Sequence, residues 1–135
     1  MPISGNTGYK WANATQGVPG QIVYLSAAGT VDFTTAVTQF PRGVLLNAPK
    51  QNETAQVSFP SNGELVQVLA DGTTDILVGD RLKSNATGRA IKAGAKNATY
   101  IATEVWIIGQ AEEGYVTAAD GLITARWEPT EGHWT

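Results

Sequence analysis

The chain has 135 residues, 42% hydrophobic and only 16% charged, with 15 Gly, 6 Pro, one His, no Cys and a formal net charge of −3. One domain of this size buries roughly two-thirds of its unfolded surface. Without Cys there is no disulfide scaffold or thiolate metal site, and with His133 alone neither a histidine metal centre nor a histidine-dependent triad is expected. Nine basic against twelve acidic side chains do not mark a polyanion binder, and no apolar run approaches the ~20 residues that span a bilayer, so no nucleic acid, membrane, metal or cofactor is expected.

Residues 1–16 carry Ile3, Tyr9 and Trp11 among Gly, Asn, Ser and Thr, with neither a helical nor a strand period. Such a stretch cannot build a core alone and reads as an extended N-terminal arm whose aromatics dock on a surface. Residues 1–6 lack the basic and apolar regions of a signal peptide, so the chain is expected to fold where it is made, and its four Asn-x-Thr triplets read as turns rather than glycosylation sites.

From Gly17 the punctuation is that of short strands. Ile22-Val23-Tyr24-Leu25 and Thr30-Val31-Asp32-Phe33-Thr34 form a hairpin across Ala28-Gly29, and Gly43-Val44-Leu45-Leu46 follows. Ala55-Gln56-Val57-Ser58-Phe59 alternates strictly and is answered, across the Asn62-Gly63 turn, by Glu64-Leu65-Val66-Gln67-Val68-Leu69. Further strands fall at 75–78, 81–83, 89–92, 105–108 and 122–127, and only 95–105 has any helical character. The expected fold is all-β: a compact β-barrel or sandwich over 17–127, with an arm at 1–16 and a tail at 128–135.

The chain also rhymes with itself. Residues 20–31 share with 79–91 a Gly, an apolar strand, a small turn with Gly and a return strand; residues 43–46 and 55–59 parallel 108–111 and 122–127. This is either a degenerate duplication or the common look of short strands joined by Gly turns.

Candidate chemistry is sparse. Glu112-Glu113 with Asp120 reads as a solvated loop, since adjacent carboxylates point apart and glycosidase chemistry needs two facing each other; Asp71-Gly72-Thr73-Thr74-Asp75 lacks the ligand spacing of a calcium loop. Arg81, Lys83, Arg89, Lys92 and Lys96 occupy sixteen positions without an acid, whereas residues 100–135 hold Arg126 against six acids, a layout suited to docking an acidic partner or a neighbouring subunit. Trp127 and Trp134 near the chain end are large apolar groups expected at a subunit interface. Two other readings use these residues differently: a carbohydrate-binding β-module stacking sugars on Trp106, Trp127, Trp134 and Tyr115, and an enzyme with Asp80 or Glu112 as acid or base.

The order of five phrases resembles the small all-β decoration, or cement, proteins of bacteriophage capsids: Pro19-Gly20-Gln21-Ile22-Val23, Arg42-Gly43-Val44-Leu45-Leu46-Asn47-Ala48, Asn62-Gly63-Glu64-Leu65-Val66-Gln67-Val68, the run from Val78-Gly79-Asp80-Arg81-Leu82 to Thr87-Gly88-Arg89-Ala90, and Ile108-Gly109-Gln110-Ala111-Glu112. The likeness covers residues 17–127. It implies a non-enzymatic virion protein, made in the host bacterial cytoplasm and placed on the capsid exterior. There it would bind the major capsid protein as a homotrimer at threefold or quasi-threefold positions. No catalytic residue comes with the family. The candidate shell contacts are Tyr9, Lys10 and Trp11 of the arm and Arg81, Lys83 and Arg89 of the basic hairpin.

Overall fold

β-Branched and aromatic runs broken by Gly, Pro and Asn favour strands and tight turns. The computed structural model describes residues 6–35, 39–72, 75–93, 105–114 and 121–132, and among these it holds ten strands and no helix. They are β1 (Asn6–Trp11), β2 (Ile22–Ala27), β3 (Thr30–Phe33), β4 (Gly43–Leu45), β5 (Thr54–Ser58), β6 (Leu65–Ala70), β7 (Arg81–Ser84), β8 (Ala90–Lys92), β9 (Val105–Ala111) and β10 (Gly121–Gly132). The all-β expectation holds, and the strands close into two five-stranded barrels, β1-β3-β2-β4-β5 and β6-β8-β7-β9-β10. Closure leaves no free sheet edge in either unit.

The two barrels are wired identically. In each, the first strand runs parallel to the third and antiparallel to the fifth, and every other neighbouring pair is antiparallel. Registers coincide as well: Ile22 pairs with Val44 and Val23 with Gly43, while Arg81 pairs with Gln110 and Leu82 with Gly109. The turn before the second strand is bonded in the same way twice. Val18 N donates to Gln21 Oε1 at 2.7 Å and Gly20 N to Leu45 O at 2.8 Å; Leu77 N donates to Asp80 Oδ2 at 2.8 Å and Gly79 N to Ala111 O at 2.7 Å. Gly20 and Gly79 adopt φ of +96° and +89°, Gly29 and Gly88 +76° and +73°, conformations that side chains rarely reach. Such agreement of wiring, register and local bonds favours duplication over chance likeness.

Strand alternation fills each interior. In β5, Ala55 and Val57 are buried and Gln56 is exposed, and with Trp11, Val23, Phe33 and Leu45 they make the first core. In β2 both Ile22 and Val23 are buried although they face opposite ways. Val23 belongs to its own barrel, whereas Ile22, with Val44, joins the second core beside Val68, Leu82 and Ile123. One barrel thus lends side chains to the other, and the junction is fastened by Ile22 N to Gly88 O (2.7 Å), Leu69 N to Gly20 O (2.9 Å) and Gln21 Nε2 to Thr87 O (2.8 Å).

Two expectations change. Residues 6–11 are a barrel strand and not an arm: Trp11 is 0% exposed, its Nε1 donates to Thr15 O at 2.8 Å, and β1 bridges β3 to β5. The arm looked aperiodic because Asn, Thr, Gly and Lys surround its core residue, and pairing on both sides supplies what local pattern lacks. The turn at 60–63 joins the two barrels and is not a hairpin; β6 pairs with β8 and β10.

Candidate functional site

Loops and strand ends at the barrel junction leave an apolar cleft of about 470 Å³, lined by Phe40, Arg42 and Phe59 from the first half and Asn62, Trp106 and Trp127 from the second, with Pro41, Pro60 and Pro129 closing its rim. A smaller depression of about 300 Å³, lined by Tyr24, Leu25 and Gln39, lies against the same Phe40 and Arg42. Phe40 and Trp106 pack with ring centroids 4.8 Å apart and planes tilted by 57°, and the Arg42 guanidinium sits 5.6 Å from the Phe40 centroid. Arg42 is the charged residue among those lining either depression. Phe40 remains 44% exposed, an aromatic ring held in water by its neighbours.

The cleft follows from the duplication. With Gly43 equivalent to Gly109 and Ser58 to Arg126 in the two β-ladders, Phe40 corresponds to Trp106 and Phe59 to Trp127, so two aromatic pairs related by the repeat converge on one place. Such a wall is rigid, because Trp127 is 3% exposed and anchored in the second core. It offers apolar notches and one cation, suited to side chains of a protein partner, with Arg42 able to take a carboxylate. Phe40 and Trp106 meet at a tilt and do not form one continuous flat platform.

The sequence-derived site residues separate. Tyr9 is half-buried, its ring 5.7 Å from that of Phe59; Lys10 is exposed; Trp11 is sealed in the core and can touch no partner. Arg81 and Lys83 share the outward face of β7, whereas Arg89 lies past the far turn with Nη1 3.4 Å from Thr87 Oγ1. Trp127 is a core residue, 3% exposed, so burial in its own chain leaves little of its area for a subunit contact. Trp134 and Tyr115 lie outside the described residues. Asp80 and Glu112 have structural partners: Asp80 holds its turn and lies 3.8 Å from Lys92 Nζ, and Glu112 accepts from Arg126 Nε at 2.7 Å.

Sequence reasoning missed Phe40, Arg42 and Phe59. A signal was present: Phe40-Pro41, Phe59-Pro60 and Trp127-Glu128-Pro129 each set an aromatic one or two residues before a proline, and all six of those aromatics and prolines line the cleft. Neither a protein-family model nor a curated protein matches this chain.

Proposed function

We propose that this chain is a structural virion protein that binds the outer surface of an icosahedral phage head and stabilises the major capsid protein lattice, as a homotrimer at threefold or quasi-threefold positions. The observation that carries the reading is the aromatic and proline cleft with Arg42, a preorganised contact surface built where two closed barrels lock together. The order of the Gly-rich phrases from 17 to 127 supplies the choice of partner. Weak contacts of this kind, repeated on three linked copies, combine into avidity for a repeating lattice. The carboxylates that an enzymatic reading would need are engaged in turns and ion pairs, which supports a binding role.

The test is co-sedimentation of the purified protein with expanded phage heads that lack it. Wild type should pellet with the heads and delay their thermal disruption. Phe40→Ser and Arg42→Glu should each weaken binding by about tenfold or more while leaving the melting temperature within a few degrees, as expected of exposed contact residues. Failure of wild type to bind heads, or glycan-dependent quenching of Trp fluorescence in their place, would overturn the reading.

A further inference from the structure

Of the seven asparagines in the chain, Asn62 is the one followed by glycine. That pairing matters chemically, because glycine has no side chain to hinder its own amide nitrogen, which can attack the side-chain carbon of the asparagine before it. Elsewhere asparagine side chains are tied down: Asn13 to Asp32 and Thr15 N, Asn47 to Thr54 O and Gln56 N, Asn85 to Thr87 N and Arg89 N. Asn62 is exposed in the wall of the cleft, and its side chain makes no hydrogen bond among the described residues.

What restrains it lies in the backbone. Residues 61–64 form a type II turn, with Glu64 N donating to Ser61 O at 3.0 Å and Gly63 at φ +89°. The nitrogen that would attack, Gly63 N, donates instead to Trp127 O at 2.7 Å, and Trp127 N donates to Glu64 O at 2.8 Å. Arg126 holds the same turn, its Nη1 donating to Gly63 O at 2.9 Å while its Nε donates to Glu112 at 2.7 Å. Trp127 is anchored in the second core, so its carbonyl does not follow the turn when the turn moves. Gly63 N must give up this bond before it can react.

We propose that Asn62 is a self-modification site guarded by the Gly63–Trp127 hydrogen bond, and that its conversion places an acid in the cleft that holds Arg42. When the turn opens, a bond forms between Gly63 N and Asn62 Cγ, the Cγ–Nδ2 bond breaks, and the side-chain nitrogen leaves as ammonia with the proton that Gly63 gives up. Water then opens the cyclic imide. Opening at Cγ restores the peptide with Asp in place of Asn; opening at the backbone carbonyl carbon leaves isoaspartate, whose chain runs through Cβ and Cγ. Either product adds a carboxylate to a cleft in which Arg42 is exposed and has no acidic partner among the described residues. Isoaspartate also lengthens by a carbon the turn that joins the two barrels. Because the change is irreversible, it records how often that turn has opened.

The test holds the full chain at mildly alkaline pH, both in urea and folded well below its melting temperature, and follows the Asn62 peptide by chromatography and mass spectrometry that resolve Asn, Asp and isoaspartate. In urea, Asn62 should convert ahead of the other asparagines, and in the folded chain at least about tenfold more slowly. Arg126→Ala leaves the Asn62-Gly63 pair intact but releases the turn, so it should raise the folded rate several-fold and leave the rate in urea unchanged. Lys83→Ala, on β7, should change neither. No conversion at Asn62 in urea, equal folded and unfolded rates, or a folded rate indifferent to Arg126→Ala overturns the proposal. The consequence for the cleft is measured with Asn62→Asp, and this arm alone rests on the proposed function: the variant should co-sediment with heads several-fold less than wild type, and equal co-sedimentation overturns that consequence. The chemistry itself is read without heads, so its failure and the failure of wild type to bind them are distinguishable.

Discussion

Gly43 and Gly109 occupy the same place in the two barrels: a Cβ on Gly43 would lie 2.0 Å from Ser58 O, and one on Gly109 would lie 1.8 Å from Arg126 O. Each lets the fourth strand press its backbone onto the fifth, which no side chain would permit, and Gly109 adds a φ of +151°. Gly43→Ala and Gly109→Ala should therefore each cost about 3 kcal/mol in urea unfolding. Gly29→Ala, strained at φ +76° but open to space, should cost about 1 kcal/mol. Equal costs at all three sites would show that close approach does not matter.

How far such features could be read beforehand depends on their range. The strands, the turns at Gly29, Gly63 and Gly72, and the repeat from 20 to 31 against 79 to 91 rest on local pattern, and all three glycines take positive φ. Closure was not legible, because β1 reaches β5 across some forty residues and its own sequence gives no period. The same blindness hid the cleft. Phe40 lies in a connection between β3 and β4 with no pattern of its own, and only the equivalence with Trp106 explains why an aromatic stands there.

Trp11 decides between an arm and a strand. Fully buried beside Phe33, with centroids 6.0 Å apart, it fills the first core, so Trp11→Ala should cost roughly 3–5 kcal/mol. Removal of residues 1–16 takes away β1 and opens the ladder between β3 and β5. The truncated chain should lose its near-ultraviolet circular dichroism and its cooperative melt. A truncation that melts like wild type would restore the arm.

The shared core predicts how the molecule unfolds. Since Ile22 and Val44 are buried in the second core and the junction is crossed by hydrogen bonds that include the buried pair Thr34 Oγ1 and Ser84 Oγ, the barrels should melt in a single calorimetric transition with equal van't Hoff and calorimetric enthalpies. Gly88→Ala, which drives a Cβ into Phe33 and the Ile22 carbonyl, should lower stability more than Gly29→Ala and broaden or split that transition. Two separate transitions in wild type would mean that the barrels are thermodynamically independent.

Asp32 links stability to pH with a definite sign. It pairs across the strands with Tyr24, and burial raises its pKa above the ordinary 3.8, although the Asn13 side chain and the Phe33 backbone amide, hydrogen-bonding to the carboxylate, pull the other way. A raised pKa in the folded state means that the fold binds this proton more tightly than the unfolded chain does. Stability from Asp32 is therefore gained as pH falls from above the raised value to 3.8, and is absent at neutral pH, where the charged form carries its desolvation cost. Asp32→Asn removes the titration while keeping a polar group beside Asn13. The difference in melting temperature between wild type and Asp32→Asn, followed from pH 7 downward so that the other acids cancel, should move in favour of wild type on acidification. A difference that stays flat, or moves against wild type, would mean that the Asn13 hydrogen bond outweighs burial and that the carboxylate is stabilised where it stands.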